Sequence, residues 1–468
     1  MRQVWLKSAA VVVAGLMGSI GWAQTSWTYS DTDKTVTDGK WVIAVTAHDS
    51  AAGTMTLGSI TTESGDGVLD LRDMVVGDVA ITGLSFPGSE AWKSAAIKEL
   101  YVNNVVGEYV PSMLKYNTTV QVVELASDTI EKITTEPRPF ENCSALGKVV
   151  LKCPNLLSWA HAGSATGSPF SGTVVSNAFH DVVNPGVTNI NGNGMFTGMT
   201  KMKGPVILTN LVYCSGDPFY GGGGSPSWSK LTDIWIKWPF TYGLTMGSSF
   251  GALTNFIYDA PNVRSCGTMM GFSVLAQDVG TLVPPYVQTI GRWSLNGANK
   301  VYGTLVLTNL VLVSTGGKSS RSSAFSCGAV TAAEIRGPVT NLPYTILTTT
   351  ITNLVLQLPN VTNVCKSAFK MKEKGVITIY GKPWAYNQMT NLLMRVDGNK
   401  VSKLTLKVSK KQGWKEYAQK YDTDFPETDK PEGCFGVWRE PNGTGTRGAW
   451  MVHFPQPDDP TGLCIRVQ

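Results

Sequence analysis

The sequence predicts a mainly β fold in which short parallel strands stack coil upon coil. The first observation behind this is composition. Of 468 residues 43% are hydrophobic and 16% charged, with 49 Gly and 24 Pro. That is too apolar for a disordered chain, too poor in charge for a coiled coil and too rich in breakers for long helices. The second is an apolar motif whose adjacent copies start 21 to 26 residues apart, with wider gaps such as 146 to 231. The third is the shape of that motif: two of its apolar residues are separated by one position, so they face the same side of an extended strand.

The chain begins with Arg2 and Lys7, an apolar run from Ala9 to Ile20, and small residues at Gly21 and Ala23. These define a secretory signal peptide over 1–23, with cleavage before Gln24. No later stretch has the roughly 20 apolar residues a helical span needs, so the mature chain is expected to carry no transmembrane segment. Its location is read as secreted or cell surface. The net charge of +5 falls to +3 once Arg2 and Lys7 leave. No basic block is dense enough for a nucleic-acid footprint.

Residues 24–85 read as an N-terminal β cap. Trp27 to Tyr29, a turn over Asp31 to Lys34, Thr35 to Asp38 and Trp41 to Val45 have the pattern of antiparallel strands. A solenoid end is an exposed sheet edge, and such edges are covered.

Residues 86–410 carry the repeat. Leu146, Val149, Leu151 and Pro154 define it, and four further sets fit. These are Leu231, Ile234, Ile236 and Pro239; Leu253, Phe256, Tyr258 and Pro261; Val330, Ala333, Ile335 and Pro338; and Ile351, Leu354, Leu356 and Pro359. Three copies continue as Pro-Asn-apolar, at Asn155, Asn262 and Asn360. A sister form lacks the Pro, as in Gly204 to Val212 and Gly303 to Val311, and weaker copies start at Ile97, Val120 and Val376. One copy buries about three apolar side chains at about 1.5–3 kcal/mol each. Fixing its two dozen residues costs about 1–2 kcal/mol per residue. A single copy cannot fold alone, whereas stacked copies share one core. Leu146, Leu231, Leu253 and Ile351 are expected to be equivalent rungs.

Pro139-Phe140-Glu-Asn-Cys143-Ser-Ala-Leu146 resembles the Ala-Phe-x-x-Cys-x-x-Leu signature of BspA-like bacterial leucine-rich repeats. Ser323 to Cys327 and Val364 to Phe369 echo it, as do Phe196 and Phe250 ahead of their strands. The resemblance implies a leucine-rich-repeat solenoid and a secreted or surface-exposed binding protein with no catalytic residues to carry over. Its Phe and Cys positions are core positions. Accordingly most of the eight Cys read as buried thiols, and Cys434 with Cys464 is the best disulfide candidate.

Residues 411–468 read as a capping helix, with Trp414, Tyr417, Ala418 and Tyr421 on one face, followed from Asp422 by an irregular Pro- and Gly-rich tail.

Strand alternation places a mixed face outward. The candidate binding residues are Tyr101, Lys148, Lys152, Asp233, Trp235, Lys237, Asp259, Glu334 and Arg336. The central outward position is often apolar, at Val150, Trp235, Ile257, Val306 and Val355. Either it meets a partner or, as is commoner on soluble monomers, loops cover it. Of the 14 Trp, Trp235 alone has a strand register that predicts exposure.

No catalytic, cofactor or metal signature stands out. Gly247-Ser-Ser249-Phe-Gly251 matches G-x-S-x-G, but a strand follows it where that motif needs a helix. His48, His161, His180 and His453 lack metal-ligand spacing. Asp422 to Asp429 lacks the Gly and final Glu of an EF-hand loop. The expected function is therefore non-catalytic binding of a protein or glycan partner through the strand face. The alternatives are a right-handed β-helix polysaccharide hydrolase or lyase, with Asp233 and Asp259 as a weak carboxylate pair and Asn210, Asn255, Asn309, Asn353 and Asn363 as a possible ladder, or a structural surface protein.

Overall fold

In the computed structural model the described residues are 26–62, 65–134, 138–160, 169–170, 172–175, 187–191, 201–203, 205–215, 218–219, 230–246, 250–269, 271–314, 323–343, 346–365, 368–393, 403–421, 430–439 and 448–457. The leader, His161, His180, Phe196, Trp228, Ser249, Asp422 to Asp429 and Cys464 lie outside them.

The repeat folds as its spacing requires. Each copy places one strand in a front ladder of parallel strands. Its first section is Val68–Leu71, Glu99–Val102, Val122–Ala126 and Lys148–Lys152, with Leu69, Leu100, Val123 and Val149 as register partners. Val206–Leu208, Asp233–Lys237 and Asn255–Asp259 form the second, aligning Val206, Ile234 and Phe256. The third runs from Leu295–Leu307 through Phe325–Arg336, Thr350–Gln357, Lys370–Ile379 and Lys403–Val408 to Gly448–His453. Leu305, Ala333, Leu354, Ile377, Leu406 and Met451 form one row of partners there, all buried.

Leu146, Leu231, Leu253 and Ile351 each precede such a partner by three residues, and none exposes measurable surface. They are equivalent rungs. The copy starting at Val376 is out of register: Ile377, not Ile379, pairs with Leu354. A bulge before it displaces the motif, with Lys374 at φ +61°.

A narrower back ladder completes each coil, for example Lys132–Thr134, Ser158–Ala160, Asn189–Asn191 and Tyr213–Ser215. The Pro-Asn-apolar turns join front to back. Their apolar residue points inward (Leu156, Val263, Val361), and Asn262 Nδ2 donates to Pro239 O at 3.0 Å, one coil earlier. Thr254 and Thr362 hydroxyls likewise donate to Thr232 O and Thr340 O at 3.3 and 3.2 Å. The two Thr hydroxyls reinforce carbonyls that already accept backbone N–H groups of the following coil. The five Asn of the conjectured ladder do not stack. Asn255 and Asn353 lie on front strands, Asn363 lies on a back strand, and Asn210 and Asn309 occupy turns. These Asn occupy three different places in the coil, so a recurring residue type did not mean a recurring place.

The signature Phe positions form aromatic stacks. Phe140 lies against Phe170 at 5.3 Å, and Phe250 against Phe272 at 5.8 Å, with interplanar angles of 18° and 13°. Cys143, Cys153, Cys214 and Cys327 are buried and in no disulfide among the described residues. Cys434 is in none there either, with Sγ 3.2 Å from Gly436 O.

The antiparallel N-terminal strands Ser26–Ser30, Thr35–Thr37, Val42–Asp49 and Thr54–Thr62 cap the first coil. Trp41 Nε1 donates to Val68 O at 2.7 Å, and Trp92 Nε1 reaches back to Gly58 O at 2.8 Å. The front ladder already begins at Val68–Leu71, ahead of residue 86.

At the other end, helix α1 (Tyr386–Leu393) buries Met389, Leu392 and Leu393, and helix α2 (Trp414–Tyr421) buries Trp414 and Ala418. The second of these was expected and the first was not. Of the tail, the described segments 430–439 and 448–457 carry strands where its composition suggested irregular chain. Gly448–His453 extends the parallel ladder, and Cys434–Arg439 closes it antiparallel. A Cβ on Gly436 would lie 2.5 Å from that of Ala418, so α2 can approach this strand only at a glycine. The fold class is the predicted one: mainly β and parallel, with a β cap and short C-terminal helices.

Candidate binding face

Alternation along each front strand buries two side chains and turns the one between them outward. In the second section the outward row is Ile207, Trp235 and Ile257, which are direct register partners. Trp235 is 38% and Ile257 50% exposed. Val150, Val306 and Val355 are half-buried, so the apolar stripe is open at Trp235 and Ile257 and partly covered elsewhere.

Polar groups frame this opening. Asp233 pairs in register with Asn255, whose Nδ2 donates to Asp233 Oδ1 at 3.1 Å. The Thr232 hydroxyl donates to the other carboxylate oxygen at 2.6 Å. Lys237 and Asp259, both exposed, stand opposite one another at the far end of the same strands. Four of the nine candidate residues, Asp233, Trp235, Lys237 and Asp259, are thus gathered on two adjacent strands.

The remaining five lie elsewhere on the ladder. Tyr101 is half-buried in the first section, its hydroxyl donating to Glu99 at 2.6 Å and Arg72 lying 4.5 Å above its ring. The bond to the Glu99 carboxylate pushes the phenol up to about 12. Lys152 pairs with Glu124, while Lys148 is exposed. In the third section Arg336 pairs with Glu334 at 2.6 Å, donates to Gln357 at 2.9 Å and lies over Tyr380 at 5.4 Å. These charges are largely satisfied by their own neighbours. The nine residues share one face, spread along it without converging.

A wall missed by the sequence reading stands beside Ile257. Val279–Thr281 forms one turn of 3-10 helix capped by Asp278, and Pro284, Pro285 and Tyr286 follow. Gln277 Nε2 donates to Phe256 O at 2.8 Å, and Tyr286 OH to Ala260 O at 2.9 Å. Together with Asn255 to Asp259 they enclose a cleft of about 480 Å³. The repeat is interrupted between Phe256 and Gly303, and the double proline was the only local cue.

Trp159 and Trp238 are buried core residues. Asp233 and Asp259 sit four positions apart along paired strands, about 13 Å in the strand direction at about 3.3 Å per residue. Among the described residues no group of three His, Cys, Asp or Glu is placed to hold a metal. No described helix is long and apolar enough to cross a membrane.

Fold and face together define a parallel-strand solenoid with an open apolar row framed by charge. No protein-family model matches the chain, and none of the curated proteins matches it. Among solved structures it is similar to a leucine rich cell surface protein from Faecalibacterium prausnitzii A2-165. That likeness has 13% identity and a TM-score of 0.29, and covers 81% of this chain and 96% of that chain.

Proposed function

We propose that this is an exported, non-catalytic leucine-rich-repeat protein of the bacterial surface that binds a protein or glycan partner through its front strand face. The carrying observation is the registered Trp235 and Ile257 pair, held open beside the Tyr286 cleft and framed by Asp233, Asn255, Lys237 and Asp259. An exposed aromatic with apolar and charged neighbours on a rigid sheet has the make-up of an interface anchor. The leader ending at Ala23 supports export.

The polysaccharide-hydrolase alternative is less well supported. Paired carboxyl groups in such enzymes lie about 5–9.5 Å apart, and the spacing of Asp233 and Asp259 exceeds that. The experiment applies purified residues 24–468 to protein and glycan arrays beside a reducing-sugar release assay. Retention of a partner, lost in Trp235→Ala, supports binding. Sugar release abolished by Asp233→Asn overturns it, and silence in both assays favours a structural surface role.

A further inference from the structure

We infer that the C-terminal end of the solenoid carries a second site, for one or two rings of a neutral saccharide, in a cavity distinct from the Trp235 face. The cavity measures about 470 Å³ and lies where the last front strands meet the cap. Its lining comes from segments far apart in sequence: Gln357, the Tyr380 to Trp384 loop, Gln388 and Gln456.

The loop is held rigidly. Gln456, 8% exposed, accepts the Gly381 N–H at 2.9 Å and donates to Ile379 O at 2.8 Å. Trp414 Nε1 donates to Gly381 O at 2.9 Å. The two peptides flanking the Gly381 Cα are thus both clamped, with Gly381 at φ +92°, a conformation L side chains rarely adopt. Tyr380 is fixed by Arg336 over its ring and by the edge of Phe454 at 6.1 Å.

On this frame several donors find no partner among the described residues. Gln357 Oε1 accepts from Arg336, which leaves its NH2 group free. The Tyr380 hydroxyl and the Trp384 indole N–H find no acceptor among the described residues. Gln388 is oriented by bonds to Ala385 N and Thr362 O. Amides present a donor beside an acceptor, the arrangement that vicinal hydroxyls complement. Tyr380, half-buried, adds aromatic surface for the apolar face of a pyranose, while Trp384, 8% exposed, can offer the cavity only an edge. No carboxylate lines the cavity and one exposed lysine, Lys382, stands at it, so a cationic ligand is disfavoured. A preformed pocket, partly apolar and with a few fixed polar groups, is the usual form of a small-ligand site.

The test presents residues 24–468 to an array of neutral oligosaccharides. The best-retained compound is then titrated into the wild-type chain and three variants by calorimetry and tryptophan fluorescence. Gln357→Ala and Tyr380→Phe each remove one donor and are expected to weaken binding about three- to tenfold. Trp384→Phe keeps the packing, loses the N–H, and is expected to weaken binding and diminish the fluorescence change. Val212→Ala, at an exposed position outside the cavity and the Trp235 face, is expected to leave this affinity unchanged. Retention of no neutral oligosaccharide at millimolar concentration overturns the inference. So does binding that survives all three cavity variants with unaltered melting temperatures. Loss of that binding in Trp235→Ala alone would also overturn it, and would assign the glycan to the strand face.

Discussion

Trp235 stands directly across from Ile257 on the neighbouring parallel strand, and both open to solvent while Ile234, Ile236 and Phe256 around them are buried. An apolar pair in that register excludes water between its members and offers a partner a continuous patch. Truncating an anchor of this kind typically costs 2 kcal/mol or more of binding. Trp235→Ala should weaken partner binding roughly 30-fold while lowering folding stability by about 1–2 kcal/mol. Titration beside a urea melt checks both. Undiminished binding would remove this pair from the interface.

Phe140 illustrates the opposite role. It is buried and stacked on Phe170 in the next coil, while Cys143, three residues on, places Sγ at 3.0 Å from Leu114 O in the coil before. Phe140→Ala should cost about 3–5 kcal/mol. Because solenoid coils hold each other through nearest neighbours, hydrogen exchange should quicken in residues 100–175 before it does in the third section of the ladder. Uniform acceleration along the chain would contradict that.

Asn117 ties its own turn to the Trp92 to Ala95 segment from a fully buried position. Its Nδ2 donates to Trp92 O and Ala95 O at 2.7 and 2.8 Å, and its Oδ1 accepts Thr119 N and Val120 N at 3.0 and 2.9 Å. Asn117→Ala removes all four bonds: Trp92 O and Ala95 O keep one donor each, from Ala95 N and the Thr119 hydroxyl, while Thr119 N and Val120 N lose this acceptor, so the change should cost about 2–4 kcal/mol. Asn117→Asp, which loses only the donor side and adds a buried charge, should be no better tolerated. Denaturant midpoints measure both.

The thiols supply a pH prediction. Burial pushes Cys143, Cys153 and Cys327 up to about 12, against about 8.5 for an unfolded cysteine. Between those values the unfolded chain has lost protons that the native chain retains, so stability falls as pH rises. The contribution is intact below about pH 8.5 and declines toward pH 12. Iodoacetamide at pH 8.5 should leave all three unmodified in the native protein and label them in urea. Native labelling of Cys143 would show that its coil opens.

Much of this architecture is legible in the sequence because a stacked coil must repeat its inward residues. Leu146, Leu231, Leu253 and Ile351 mark equivalent rungs through spacing alone, and the exposure of Trp235 follows from strand alternation. The same logic fails at Val376, where a bulge inserts residues without altering the apolar pattern. It fails also for the Asn residues, since Asn255 on a front strand and Asn363 on a back strand look alike in one dimension.

The sequence by itself determined the coil: its period, its inward Leu, Val and Phe, its β cap and its buried cysteines. All of these depend on contacts that recur at a fixed chain separation. Only the tertiary structure decided the surfaces, namely which outward residues neighbours cover, that Tyr286 walls a cleft beside Ile257, and that Gln357, Trp384 and Gln456 meet around one cavity. Those juxtapositions join residues up to a hundred positions apart, and no local periodicity encodes them.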